Sequence, residues 1–505
     1  MPQPQTTFHF IVSTAIDAGL IAHRIGFPEY SYFFVLEDFI PLLSDLGRVT
    51  RVTDAKNEVD ALYKSSQELG EKCIFLNFTA PQNLISDIQC PTAHVFAWEF
   101  NTLPTETWLE DGLQDWRAAL AKHSCAITHS HYAKKAITDE MGFDFNVAVI
   151  PSPVWNKFDD ERAVISDREP IKSTYLHFHG RLFDTKQLEL FMEYDAFQKT
   201  QQCIEVTDLP PTPKVGDNPG LHRNNPLKDL LRAATPPILW QPLSRLYQTH
   251  IREQSQKTKE ENALVTSAAS QKESINHQTE FNEDDRPNAV RLDGVIYTSI
   301  FNPLDGRKNW RDMVSAFIWA NKSNKDATLI IKAPKLDVDD FINPLIDFLK
   351  RFIPFDCRVI VIKAFLNHDE YRTLMEATTY YINTSYGEGQ CLPLMEYLSA
   401  GIPAIAPDST ALADYINADI AFVIKSHAEP STWQHDPRLS YRALRYRIDW
   451  MDLVKGFEES YRLAKTDSNK WRDMGHAAGI RMESHASIQS GRQELRRFLD
   501  SAFAV

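Results

Sequence analysis

The sequence predicts an α/β protein built of two doubly wound domains in tandem, their sheets facing a central cleft, with a segment of different character inserted between them. Three observations point there. A chain of 505 residues exceeds what one hydrophobic core usually supports, while 43 % hydrophobic and 11 % aromatic residues suffice to bury large cores. Short β-rich runs alternate with helix-length amphipathic segments in two separate series, the pattern of parallel strands covered by helices on both faces. The stretch separating the two series follows neither periodicity.

The first series, within residues 7–158, runs FHFIVSTA, a helical pattern over 39–46, then KCIFLNF, AHVFAWEF, CAITHS and VAVIPSPV. It defines an N-terminal domain over 1–158, completed by a C-terminal helix within 490–505. The second series, within 291–489, contains GVIYTSIF, ATLIIKAP, RVIVIKAF, TTYYINTS, IPAIAP and IAFVIK, with helical patterns over 310–320, 369–377 and 453–465. Between them, in 159–290, STYLHFHGRLF reads as strand and LPPTPKVGDNPG as turn-rich chain. Residues 251–290 are dominated by Gln, Lys, Glu, Ser and Asn, with Phe281 as their one aromatic residue. Such a stretch buries too little apolar area to offset its ordering entropy, which predicts a solvated helix or a flexible linker.

Fifty-four Lys and Arg against 68 Asp and Glu give a formal charge of -14, which excludes broad electrostatic contact with nucleic acid and leaves room only for a local basic pocket. No charged segment precedes a long apolar run, and no stretch is apolar for the 18 to 20 residues or so that a membrane span needs, so a cytoplasmic location is expected. Six cysteines (Cys73, Cys90, Cys125, Cys203, Cys357, Cys391) are scattered without a CxxC pair, as reduced thiols are. A disulfide framework or a zinc site would cluster them.

The most informative window is 380–416, YYINTSYGEGQCLPLMEYLSAGIPAIAPDSTALADYI. A strand leads into a loop with Gly387 and Gly389, then into a helix from Leu392 with Pro393 in its first turn, where a missing N–H does no harm. A helix start of this kind offers backbone N–H groups to a phosphate. Glu388 stands in the loop and Glu396 one turn inside the helix, both able to face one ligand; Gly401 is the expected C-terminal cap. Gly and Pro punctuation with a dipole-pairing glutamate is the bland alternative.

The run Glu388-Gly389-Gln390-Cys391-Leu392-Pro393-Leu394-Met395-Glu396, followed by Ala400-Gly401-Ile402-Pro403, resembles the E-x7-E signature of glycosyltransferase family 4, retaining nucleotide-sugar-dependent enzymes of the GT-B fold, in which two Rossmann-like domains face a cleft. The resemblance is strong over about residues 293–425 and looser before. It implies that Glu388 approaches the hydroxyls of the donor sugar, that Glu396 binds the ribose, and that Gly389, Gln390, Cys391 and Leu392 line the donor site. Two positions depart from the pattern: Cys391 stands where the family usually has Gly, and Gln390 where it has an aromatic residue.

A second element, SIFNPLDGRKNW over 299–310, lies at the first strand-to-helix turn of the second domain. Asn302, Pro303, Asp305 and Gly306 form the turn, and Arg307 and Lys308 bring fixed cations to a helix start, as a departing diphosphate requires. The resemblance places Lys308 on the family's diphosphate-binding lysine. Asn302 occupies the position of the usual strand-end arginine, for which Arg307 is a substitute by guess alone; a solvated Arg-Lys pair is the plain alternative. The donor base is expected near 364–366, around Phe365, through backbone atoms.

In the first domain, Trp98 and Glu99 end one strand, His129 and Ser130 end another, and Asp17 and Gly19 follow the first. Glu99, His129, Asp17 and Gly19 are the acceptor-side candidates. A strand-end histidine can serve a sugar hydroxyl or a proton transfer, although such residues more often satisfy a local hydrogen bond. Arg438, Arg442, Arg445 and Arg447, interleaved with aromatics, read as a solvated helix face, or else as a surface for a polyanionic or lipid-linked acceptor.

Together these features lead to one expected activity: transfer of a sugar from a nucleotide diphosphate sugar to an acceptor hydroxyl with retention. Glu388 and Lys308 are its catalytic residues and Arg307 supports them, with no cofactor and no metal because side chains supply the cations and no Asp-x-Asp occurs in a donor loop. The implied partners are the donor and a glycan, lipid-linked or protein acceptor in polysaccharide or glycan assembly, with peripheral membrane association allowed and nucleic acid excluded. An inverting GT-B transferase, a nucleotide-sugar epimerase and a non-catalytic nucleotide-sugar-binding subunit remain open at this level.

Overall fold

A computed structural model of the chain describes residues 8–14, 30–83, 85, 87–108, 114–123, 125–187, 286–334, 339–434 and 436–503. Asp17, Gly19 and the polar stretch over 251–285 lie outside the described residues.

The first sheet is wholly parallel. Its strands are β1 (Phe8–Thr14), β2 (Gly47–Arg51), β3 (Lys72–Phe78), β4 (Thr92–Phe96), β5 (Cys125–Thr128) and β6 (Asn146–Val149), in the order β2-β1-β3-β4-β5-β6. Central strands such as KCIFLNF are buried on both faces, which is why they read as continuous apolar runs instead of alternating ones. Helices α1 (Tyr30–Ser44), α2 (Ala55–Glu68), α3 (Trp116–His123) and α4 (His131–Met141) connect them. The chain then crosses to the second domain and forms α5 (Asp159–Ser166).

The second sheet has the order β15-β14-β13-β10-β11-β12-β8. Strand β7 (Thr174–His179) pairs antiparallel with β9 (Pro287–Leu292) as a two-stranded ribbon, and β8 (Arg181–Asp184) forms the edge of the sheet, antiparallel to β12. The parallel core consists of β10 (Val295–Ile300), β11 (Ala327–Ala333), β12 (Arg358–Lys363), β13 (Tyr380–Ile382), β14 (Ala404–Pro407) and β15 (Ala421–Ile424). Helices α6 (Trp310–Asn321), α7 (Asp339–Leu349), α8 (His368–Ala377) and α9 (Leu392–Ser399) link these strands. Leu176, Phe178, Val290 and Leu292 of the ribbon cover Ile296, Ile330 and Ile360 on the sheet face.

Residues 174–184 and 287–290, assigned from sequence to the inserted segment, are therefore part of the second sheet and its covering ribbon. The period-two spacing of Leu176 and Phe178, both buried, is what seats them there. A buried ion pair locks the edge: Arg358 Nε and Nη2 donate to the two carboxylate oxygens of Asp184 at 3.0 and 2.6 Å, and Nη1 donates to the Arg291 carbonyl at 2.7 Å.

After β15 the chain turns into a hairpin, β16 (Ser426–Thr432) with β17 (Tyr441–Ile448). This corrects the expected helix face over the four arginines. They pair with carboxylates, Arg438 and Arg442 with Glu106 and Arg445 and Arg447 with Glu429. Arg445 lies directly opposite Glu429 in the register, a cross-strand charge pair that suits a ribbon. Three helices end the chain, α10 (Trp450–Thr466), α11 (Ser468–Ala486) and α12 (Ile488–Ala502). The last returns to the first domain, where Leu495, Phe498 and Leu499 enter its core.

Breaking the buried pair at the sheet edge tests this assignment. Asp184→Ala leaves the Arg358 guanidinium uncompensated and is expected to destabilise the fold by about 3 to 5 kcal/mol, read as a lowered denaturation midpoint. Replacing both partners by apolar residues, Asp184→Leu with Arg358→Met, is expected to regain most of the loss.

Candidate active site

The order of the second sheet reverses between β10 and β13, and ligands of open α/β sheets bind in the crevice that such a reversal opens at the carboxyl ends of the strands. The loop after β10 carries Asp305, Arg307 and Lys308; the loop after β13 carries Gly387, Glu388 and Gly389. Thr384 Oγ1 sews them together by donating to the carbonyls of Lys308 and Asn309 at 3.2 and 3.3 Å.

Glu388 is the centre of the site. Its side chain is 5 % exposed, and its carboxylate accepts from Lys308 Nζ at 2.7 and 2.9 Å, Arg307 Nη1 at 3.2 Å, Ser385 Oγ at 2.5 Å and Asn383 Nδ2 at 3.2 Å. Burial alone would raise the Glu388 carboxyl, but Lys308, Arg307 and these hydrogen bonds outweigh it and hold the group down at about 2. The carboxylate in turn keeps both cations charged: burial works against Lys308 and Arg307, and Glu388, joined at Arg307 by Glu99 and Asp305, pushes them upward.

Arg307 joins the two domains. Its Nη2 reaches Asp305 Oδ2 at 3.0 Å, Nη1 donates to the Gly387 carbonyl at 2.5 Å, and Nε lies 3.4 Å from Oε1 of Glu99, which follows β4 of the first domain. The loops meet closely enough that glycine is required at 389: a Cβ there would stand 2.8 Å from that of Ala97 and 3.2 Å from the Trp98 nitrogen.

The other expected donor residues fall into distinct environments. Asn302 shapes the turn, its Oδ1 accepting from the Leu304 nitrogen at 3.0 Å. Gln390 has its side-chain amide engaged by Ser152 in the crossing between domains, at 3.0 and 3.2 Å. Cys391 caps α9 in the left-handed region (φ 61°), which explains why glycine suits this position, and burial pushes its thiol up to about 12. Leu392 packs against the cores of both domains. Glu396 accepts from the Tyr371 hydroxyl at 2.6 Å. Phe365, just after β12, is 46 % exposed.

On the first-domain side, Glu99 reaches the cluster and His129 does not. The imidazole is 1 % exposed; Nδ1 donates to the Ile150 carbonyl at 2.8 Å, and Nε2 is buried without a hydrogen-bond partner. Burial holds the ring at about 4, so it is neutral near pH 7.

Sequence reasoning passed over Tyr371, Asp305 as a partner of Arg307, and Lys332. Lys332 stands at the carboxyl end of β11, where burial draws its ammonium down to about 8 against the opposing pull of Glu396. A charged residue ending an otherwise apolar strand was the available signal. Among the described residues, no group of three or more His, Cys, Asp or Glu side chains is placed to hold a metal ion, and no helix is long and apolar enough to cross a membrane.

No protein-family model matches the sequence, and no curated protein matches it. Among solved structures the fold is similar to a glycosyltransferase from Rickettsia africae, with a TM-score of 0.50 at 9 % identity over 98 % of this chain and 99 % of that one. Weaker likenesses extend to HepE of Anabaena in complex with UDP and glucose (TM-score 0.47, 10 % identity, 97 % and 99 % of the two chains) and to sucrose-phosphate synthase from Thermosynechococcus elongatus (0.47, 11 %, 98 % and 99 %). At these identities the likeness is one of architecture: two Rossmann-like domains in the GT-B arrangement.

The Glu388 cluster makes a pH prediction. Because its value in the folded state lies below the ordinary 4.5, the ionised carboxylate adds stability above about pH 4.5 and withdraws it as pH falls through about 2. Acid titrations of unfolding free energy are expected to show a shallower decline across that window for Glu388→Gln than for the parent.

Proposed function

We propose that the chain is a glycosyltransferase that moves a sugar from a nucleotide diphosphate sugar to an acceptor hydroxyl with retention of configuration, in the assembly of a polysaccharide or other glycan. The observation that carries this reading is the convergence of Lys308, Arg307 and Glu388 at the strand-order reversal of the second sheet, with Glu99 of the first domain completing the group. Two neighbouring cations with a carboxylate fixed between them suit a substrate that carries a diphosphate at one end and hydroxyls at the other.

In this reading the donor exchanges partners with the resting cluster. Its diphosphate oxygens take Lys308 and Arg307, which frees the Glu388 carboxylate to accept hydrogen bonds from the sugar and to face the positive charge that develops at its anomeric carbon. The bond from that carbon to the diphosphate oxygen breaks with its electron pair leaving on the phosphate. The acceptor oxygen bonds on the same face, and its proton passes to the departing phosphate. Glu388, ionised at neutral pH, stabilises charge and does not donate a proton. Glu396, held by Tyr371, serves the ribose, and the backbone beside Phe365 serves the base. His129, buried and engaged by Ile150, is a positioning residue between β5 and β6. Side-chain cations are proposed to supply all the charge neutralisation, without a metal.

Donor hydrolysis and transfer assays on Glu388→Ala and Lys308→Ala test the reading. Each variant is expected to lose about 2 to 4 kcal/mol of transition-state stabilisation, roughly one and a half to three orders of magnitude in rate, while the parent keeps its rate in EDTA. Near-parental rates in both variants would refute the assignment. Proton NMR of the product's anomeric centre separates retention from inversion.

A further inference from the structure

Beside the Glu388 cluster lies a cavity of about 300 Å3, at the lower end of pockets that take small organic ligands. Its walls come from four places: Glu99 and Phe100 of the first domain, the turn over 304–307, Tyr386 and Gly387 of the loop after β13, and the β16–β17 hairpin with its turn. The hairpin is not a loose flap. Thr102 Oγ1 donates to the Arg442 carbonyl at 2.6 Å, the Leu444 nitrogen donates to Asn101 Oδ1 at 2.7 Å, and Trp433 enters the core of the first domain. On the other side, the Tyr446 nitrogen donates to the Tyr386 carbonyl at 2.7 Å.

The chemistry of the walls defines a ligand class. The lining carries two carboxylates and two guanidiniums, and each is already paired: Glu99 and Asp305 with Arg307, and Arg445 with Glu429 at 2.6 Å while it lies 4.6 Å over the Tyr386 ring. The two signs balance within the lining, so the cavity has no net charge that favours an ionic occupant. What the walls add is hydrogen-bonding groups from Ser431, Thr432 and Gln434, set against apolar surface from Phe100, Leu304 and Leu444. Hydroxyl edges and an apolar face are the two surfaces of a sugar ring.

We infer that this cavity is the acceptor subsite, that its occupant is an uncharged polyhydroxylated unit, and that the β16–β17 hairpin selects it. The inference rests on the glycosyl-transfer reading above. Arg307 links the two sites, with Nε 3.4 Å from Glu99 at the cavity and Nη1 3.2 Å from Glu388, so a hydroxyl seated at Glu99 is one guanidinium away from the carboxylate that faces the donor sugar.

The test uses the full chain, a set of UDP- and GDP-sugars as donors, and p-nitrophenyl glycosides, neutral and uronic, as acceptors. Leu444→Trp fills the cavity, and Gln434→Ala removes an amide at an exposed position without disturbing the core. Products on neutral glycosides, an acceptor KM raised about tenfold or more in both variants, and an unchanged shift of melting temperature by UDP or GDP are expected. An acceptor KM equal to the parent's in both variants, or transfer confined to uronic acceptors, overturns the inference. So does loss of the nucleotide-induced shift in either variant, which would place the donor in the cavity. If the parent responds to neither nucleoside diphosphate in melting and transfers no sugar, the transfer reading fails and the inference falls with it.

Discussion

A carboxylate buried between two cations governs this structure. Taking Glu388, Lys308 and Arg307 out of water is unfavourable unless each charge is matched and its remaining hydrogen-bonding capacity filled. Here Ser385 and Asn383 complete the shell of Glu388, and Asp305 and Glu99 balance the charge of Arg307, whose buried Nε lies 3.4 Å from Glu99 without a hydrogen bond. This charge-balanced assembly holds two loops and two domains together at one point, and a ligand that displaces its carboxylate must offer equivalent charge. A diphosphate is such a ligand; a neutral sugar alone is not. In the proposed reading, two local cations carry that recognition, which is compatible with an overall charge of -14.

The rest of the fold serves that point. The strand-order reversal leaves β10 and β13 as neighbours with their following helices on opposite faces, so the two loops have space to converge. Gly389 lets the loop approach Ala97 and Trp98, and Leu392 shares packing with both cores. The hairpin and α12 tie the domains again at some remove, through Trp433 and Leu495.

Much of this was legible in the chain. Parallel strands buried on both faces leave apolar runs that survive any tertiary context; the E-x7-E spacing singles out Glu388 and Glu396, the turn over 299–310 singles out Lys308, and the fold brings Glu388 and Lys308 into contact. Less visible were features that depend on partners distant in sequence. The hairpin was hidden because arginines spaced at 438, 442 and 445 fit a helical face, whereas only Arg445 and Arg447 fit alternate positions of a strand; their partners Glu106 and Glu429 decide between them. The seating of β8 depends on Asp184 meeting Arg358, and nothing local announces it. His129 looked reactive at its strand end because sequence cannot show the Ile150 carbonyl that engages it.

The central claim is that Glu388 and a donor diphosphate compete for the same two cations. Isothermal titration of UDP and GDP into the parent and into Glu388→Gln tests it most directly. Removing the competing carboxylate while leaving Lys308 and Arg307 in place is expected to tighten binding of whichever nucleoside diphosphate the parent takes, by about tenfold, since charge-assisted contacts of this kind are worth about 1.5 to 3 kcal/mol. Binding that is unchanged or weaker in the variant would contradict the account, for the cluster would then not be where the diphosphate lands.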